Sequence, residues 1–185
     1  MITRFKQYFI LIMGLMSILF GSKAAIRLEL APAQIDLGSF KCGSTVVGSK
    51  IGTNETFSSC FDSSGLANFE TKGIELGKRG EILEHAFITI TNFSGSFLRS
   101  GKPLNLSTNT TPEQILAEFG QPYWIDNSDD DETIFFYEYQ NGSVELQFEF
   151  PGKRKLGFIT LSNNGVLSDL TQRKAYGVTK AWPPK

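Results

Sequence analysis

Histidine and cysteine are nearly missing from this chain. Its 185 residues include one His, His85, and two Cys, Cys42 and Cys60. A Ser-His-Asp triad would have to centre on His85, and no Gly-x-Ser-x-Gly motif accompanies it. His85 sits inside an alternating strand pattern, where it reads as a structural residue. No His-Glu-x-x-His occurs, and two thiols without a neighbouring His supply half of a zinc shell. Excess positive charge is absent too: 18 Lys and Arg stand against 19 Asp and Glu, a formal charge of −1. Binding of nucleic acid or anionic lipid needs a basic surface, so neither is an expected partner. No segment beyond the first 24 residues is long and apolar enough to span a bilayer, so the mature chain is expected not to insert into a membrane. Nothing in the sequence asks for a cofactor or a metal.

The one apolar run that does exist opens the chain. Arg4 and Lys6 precede Tyr8 to Phe20, which is almost wholly apolar, and Ser22-Lys23-Ala24 then places small residues at positions −3 and −1 of a cut after Ala24. A charged start, a short apolar run and a small-residue exit make a secretory signal peptide; an uncleaved anchor is the alternative. Cleavage would remove three bases and no acid, taking the formal charge from −1 to −4. Residues 25–185 are thus expected as one exported α+β domain, periplasmic or extracellular, with a β-rich half (25–107) and a second half (108–185) of helix plus three-stranded antiparallel sheet. In an oxidising compartment Cys42 and Cys60 read as a disulfide stapling the Gly-, Ser- and Thr-rich stretch of 41–65, an irregular loop or a poorly formed hairpin. Five Asn-x-Ser/Thr triplets, at Asn54, Asn92, Asn105, Asn109 and Asn141, carry meaning only in a eukaryotic secretory pathway.

Strand signals dominate the first half: Arg27–Leu30, Ile35–Gly38, Ile74–Gly77, Glu81–Thr91, and a hairpin turning at Ser100-Gly101. Ile35-Asp36-Leu37-Gly38 and Ile74-Glu75-Leu76-Gly77 share a pattern that hints at duplication. One helix is announced over 111–119. Thr111 is an N-cap, Pro112 takes the first helical position, Gln114 completes a capping box, and Gly120 and Pro122 end the helix. Asn141-Gly142 then predicts a type I′ hairpin, because both central positions of that turn need positive φ. The register that follows pairs Tyr139 with Val144, Tyr137 with Leu146 and Phe135 with Phe148 on a core face. It sets Glu138 opposite Glu145 and Phe136 opposite Gln147 on a face expected to be solvated or used. Lys155–Leu161 supplies the third strand. The whole is expected to be a twisted antiparallel sheet with one short helix packed on one face and one disulfide.

Thr111-Pro112-Glu113-Gln114-Ile115-Leu116-Ala117-Glu118-Phe119-Gly120-Gln121-Pro122, with the aromatic strand Phe135-Phe136-Tyr137 and the strand Leu156–Leu161, resembles the helix-then-sheet unit of the SmpA/OmlA outer-membrane assembly lipoproteins and of the β-lactamase inhibitor protein. The likeness spans 108–161 and implies a non-enzymatic protein-binding scaffold. The chain lacks the lipid-attachment cysteine of those lipoproteins.

The candidate surface follows from the same residues. Tyr123 and Trp124 just after the helix, Asp126, Asp129 and Asp130 in the acidic run 126–132, and Phe136, Glu138 and Glu145 on the second sheet face would meet a protein partner; interfaces favour Tyr and Trp as anchors. The acidic run does not fit an EF-hand, since its sixth and twelfth positions are Asp131 and Tyr137. Opposed Glu138 and Glu145 destabilise a strand pair, and Lys153, Arg154 and Lys155 are the candidates to compensate them. The expected function is an exported binding or inhibitor-type protein without catalysis, immunity-like or envelope-assembly-like. The alternatives are a small hydrolase using the hairpin carboxylates and a carrier of a small apolar ligand. The Trp182-Pro183-Pro184 tail is expected to dock as a strap on the body.

Overall fold

The computed structural model describes residues 26–30, 33–36, 44–48, 60–69 and 72–184. The leader segment, Cys42 and Asn54 fall outside them. Cys60, half of the expected disulfide, is partly buried against the core.

Among the described residues the class is α+β and mostly strand, in two sheets and two short helices. Five strands form the first sheet: β1 (Ile26–Leu30), β2 (Ala33–Asp36), β3 (Ser44–Val46), β7 (Gly95–Arg99) and β8 (Lys102–Leu104), in the order β3-β2-β1-β7-β8. The second sheet holds β4 (Leu66–Phe69), β5 (Ile74–Arg79), β6 (Ile82–Thr89), β9 (Trp124–Asp126), β10 (Glu132–Tyr139), β11 (Val144–Pro151) and β12 (Phe158–Asn163), in the order β4-β5-β6-β12-β11-β10-β9. Three expectations need correction. One antiparallel sheet becomes two, and β1 pairs with β7 in parallel. The three-stranded sheet expected of the second half is one side of a seven-stranded sheet, because β12 pairs with β6. The loop expected over 41–65 contains β3.

Alternation in β1 buries Ile26, Leu28 and Leu30, which join Phe97 of β7 and the inward residues of the larger sheet in one apolar core. Helix α1 (Pro112–Phe119) forms as its caps predict, with the Thr111 side chain and the Gln114 side chain each accepting the other residue's backbone N–H. It buries Ile115 and lays Phe119 against Tyr137 and Phe148, with ring centroids 5.7 and 4.9 Å apart.

The 140–143 connection has the predicted register, Tyr139 with Val144 and Tyr137 with Leu146. Asn141 and Gly142 take the required positive φ, 58° and 80°, while Gln140 also turns positive at 52°. In β6 the alternation of buried and half-buried residues changes partway. The ladder to β5 skips Glu84, pairing Gly77 with His85 but Lys78 with Leu83. One unpaired residue reverses the alternation beyond it, so Leu83 is buried and Ile82 is only half-buried.

Candidate functional site

The second face of the larger sheet is covered at one end and open at the other. Its cross-strand rows run Glu75, Phe87, Thr160, Gln147, Phe136, Trp124, and beside it Gly77, His85, Ser162, Glu145, Glu138. The expectation of a solvated face fails over β9–β11, where the chain's own C-terminal segment lies. A 3-10 turn at Val166–Ser168, helix α2 (Leu170–Ala175) and the tail to Pro184 make up that segment. Asp169 starts α2 as its N-cap, accepting the Gln172 N–H at 2.9 Å.

The predicted surface residues divide accordingly. Tyr123 and Trp124 hold the tail: the Tyr123 hydroxyl donates to the Lys180 and Ala181 carbonyls at 3.2 and 3.1 Å, and Trp124 Nε1 donates to the Tyr176 carbonyl at 3.1 Å. The Trp182 ring meets Tyr123 edge-on and lies so close over Gly142 that a Cβ there would touch it at 2.5 Å. Phe136 is 1% exposed and packs against Tyr176. Glu145 is fully buried. Asp126, half-buried, accepts the Ser128 N–H at 3.0 Å. Asp129 and Asp130 are the members of the set left exposed, Asp129 accepting the Asp131 N–H at 2.8 Å. The strap expected of the Trp-Pro-Pro tail is therefore present, and it consumes the anchors assigned to a partner.

Of the opposed glutamates only Glu145 is compensated, and by other groups than expected. Lys153–Lys155 turn at the far end of the hairpin, and Lys155 Nζ donates to Asn109 Oδ1 at 3.3 Å. Glu145 instead accepts the N–H groups of Val166 and Leu167 at 2.9 and 2.8 Å, together with the Gln147 amide at 2.5 Å. Both Glu138 oxygens are buried and find no hydrogen-bond partner in ordinary geometry among the described residues. Burial, and then the neighbouring Glu145 charge, push the Glu138 carboxyl up to about 9, so it is neutral at pH 7.

Beyond the strap's inner edge the face opens into a cleft of about 460 Å³. Its floor is β5, β6 and β12, with Glu75, His85, Phe87, Thr160 and Ser162, and Gly165, Val166, Ser168, Asp169 and Gln172 of the C-terminal segment form a wall. Gly77 leaves the room that the His85 ring fills; a Cβ there would overlap the imidazole. Phe87 is held by a stack on Phe158, with centroids 5.4 Å apart. Glu84, the skipped residue of β6, reaches Arg79 at 2.8 Å on the rim. Glu75, Glu84 and Asp169 bring three carboxylates to the cleft, and no Lys or Arg lines it. No three His, Cys, Asp or Glu side chains among the described residues converge as a metal would require.

Sequence reasoning did not assemble this cleft. His85 was read as structural, and Glu75, Phe87 and Asp169 carry no motif. The one local signal was the Asn164-Gly165 turn, which sends the chain back across the sheet. No protein-family model, curated protein or solved structure matches the chain. The geometry alone defines the class at hand: an α+β protein with an acidic cleft on one sheet face.

Proposed function

We propose that this chain is an exported binding protein without catalysis of its own, gripping a basic side chain of a protein partner in the cleft between β5, β6, β12 and the C-terminal segment. The observation that carries the reading is the lining: the Glu75 and Asp169 carboxylates, Glu84 paired with Arg79 at the rim, the Phe87 ring, and no Lys or Arg inside. A concave wall of one sign focuses its potential on a charge of the other, and an aromatic ring at the floor adds a cation–π contact. Charge complementarity of this kind supplies specificity and association rate. Export rests on the signal-type segment before Ala24 and on the oxidised pairing expected of Cys42 with Cys60. A blocking protein of the immunity kind and an envelope assembly factor are the two forms that the resemblance of 108–161 favours. Exposed Asp129 and Asp130 extend the acidic surface.

The carboxylate-hydrolase reading lacks a place to work: Glu138 and Glu145 do not line the cleft, and their oxygens lie beneath the strap. The apolar-carrier reading is not favoured by a cleft that sets three carboxylates beside Phe87 and Val166.

Affinity capture of the exported chain from its own envelope tests the proposal, with Glu75→Gln/Phe87→Ala and Tyr123→Ala/Trp124→Ala variants in parallel. One protein recovered stoichiometrically, weakened by salt and lost with the cleft variant, is the expected result. A partner retained by the cleft variant and lost with the second one would move the site to the strap side.

A further inference from the structure

The C-terminal segment is hung from a single buried side chain. Glu145, with no exposed surface, takes one backbone N–H from Val166 and one from Leu167. Gly165 lies flat on the same carboxylate, so closely that a Cβ would overlap it. Leu167 is fully buried, outside the main core. Opposite Glu145 across the hairpin stands Glu138, with both oxygens shut away from water and unpartnered. A charge left there would be uncompensated in a desolvated place beside a second charge.

We propose that the Glu138–Glu145 pair is a protonation latch for the segment from Gly165 to Trp182, closed while Glu138 keeps its proton and released when Glu138 ionises beside Glu145. Release would remove the wall made by Gly165, Val166, Ser168, Asp169 and Gln172, and so open the cleft; this consequence rests on the cleft being the binding site, whereas the latch does not. The other ionisable groups on this side do not neutralise the pair. Arg173 donates to the Leu167 and Ser168 carbonyls at 2.7 and 2.9 Å and lies 4.9 Å from the Trp182 ring. The Lys180 ammonium sits over the Tyr123 ring at 5.6 Å. Burial pushes the Tyr123 and Tyr176 hydroxyls up, and Asp126, Glu145, Glu149 and Glu132 add negative charge around Tyr176. The Glu138 carboxyl, pushed up by burial and by Glu145, is therefore the group that gates the segment. With one proton separating the closed and open states, the open fraction rises about tenfold per pH unit between the ordinary carboxylate range and the closed-state value.

Hydrogen exchange of the full exported chain, followed from pH 6 to 9 and corrected for the intrinsic rate, reads this directly. Protection of the Val166 and Leu167 amides should fall about tenfold per pH unit, while amides of β5 and β6, which open only with the whole fold, stay far better protected at every pH. Glu138→Gln, which cannot ionise, should flatten the profile. Trp182→Ala, which removes a contact and no charge, should raise exchange of the segment by a constant factor with the slope unchanged. An unchanged slope in Glu138→Gln, a flat wild-type profile, or β5 and β6 amides no better protected than those of the segment would each overturn the latch. Should Glu138→Gln not fold, the wild-type and Trp182→Ala profiles still decide. A present slope with a cleft variant that keeps its partner would leave the latch standing and remove only the reading of the cleft.

Discussion

A carboxyl group buried beside another carboxyl remains there by holding its proton, and Glu138 does so in a setting where most glutamates would have lost theirs. Its ordinary value near 4.5 rises to about 9. The sign of the effect on stability follows from proton binding. Above about pH 4.5 the unfolded chain releases a proton that the folded chain keeps, so stability falls as pH rises, until the folded value is passed. Glu138→Gln should leave stability near pH 4.5 almost unchanged and raise it at pH 7 by about 3 kcal/mol at most, as urea denaturation at the two pH values would measure. Glu145 has the hydrogen-bond partners that Glu138 lacks. Glu145→Ala would strand the Val166 and Leu167 N–H groups, a loss of about 2–4 kcal/mol in the same assay. Gly77 is a third position where one atom decides. Gly77→Ala displaces the His85 ring from the cleft floor, and a shifted His85 imidazole resonance in NMR spectra is the expected sign.

Single elements show how local chemistry and packing divide the work. Helix α1 has eight residues, too few to persist alone, yet its ends are written in Thr111, Pro112, Gln114 and Gly120. Thr111→Ala should cost about 1 kcal/mol in thermal or urea unfolding, since it removes the capping oxygen from the Gln114 N–H. The β10–β11 hairpin was legible to the residue pair, because Asn141-Gly142 fixes the register and the register fixes the faces. The direction of β1 beside β7 was not legible, since its partners lie about seventy residues apart and a strand's pattern carries no direction. Nor was the skipped residue Glu84, which changes the inward face of β6 without any Gly or Pro to mark it. The candidate surface divided for the same reason. Tyr123, Trp124 and Phe136 were recognisable as large residues in need of a partner, but the partner proved to be Tyr176, Lys180, Ala181 and Trp182 of the same chain.

Across the whole molecule the larger sheet is buried twice over part of its width, by the core on one side and the C-terminal segment on the other. Removing residues 165–185 would bare Phe136, Leu167's site and the Glu145 carboxylate together. That truncation should yield a chain that binds a hydrophobic dye and aggregates near neutral pH, with the β5–β6 region still protected from exchange. The full chain should do neither.

What the sequence determined by itself is what nearest neighbours settle: the capped helix, the hairpin register, the alternation that sorts most strands into inward and outward residues, and the α+β class. These depend on φ preferences, capping oxygens and period-2 patterns that act within a few residues. Tertiary structure alone decided the pairing of β6 with β12 and of β1 with β7, the closing of the second sheet face by residues 165–184, and the cleft at that segment's edge. Each of these joins residues far apart along the chain, and the free energy of burying a side chain depends on what comes to cover it. Glu138 and Glu145 show the difference plainly: the turn at Asn141-Gly142 places them opposite one another, but only the arrival of Val166 and Leu167 makes one an anchor and the other a held proton.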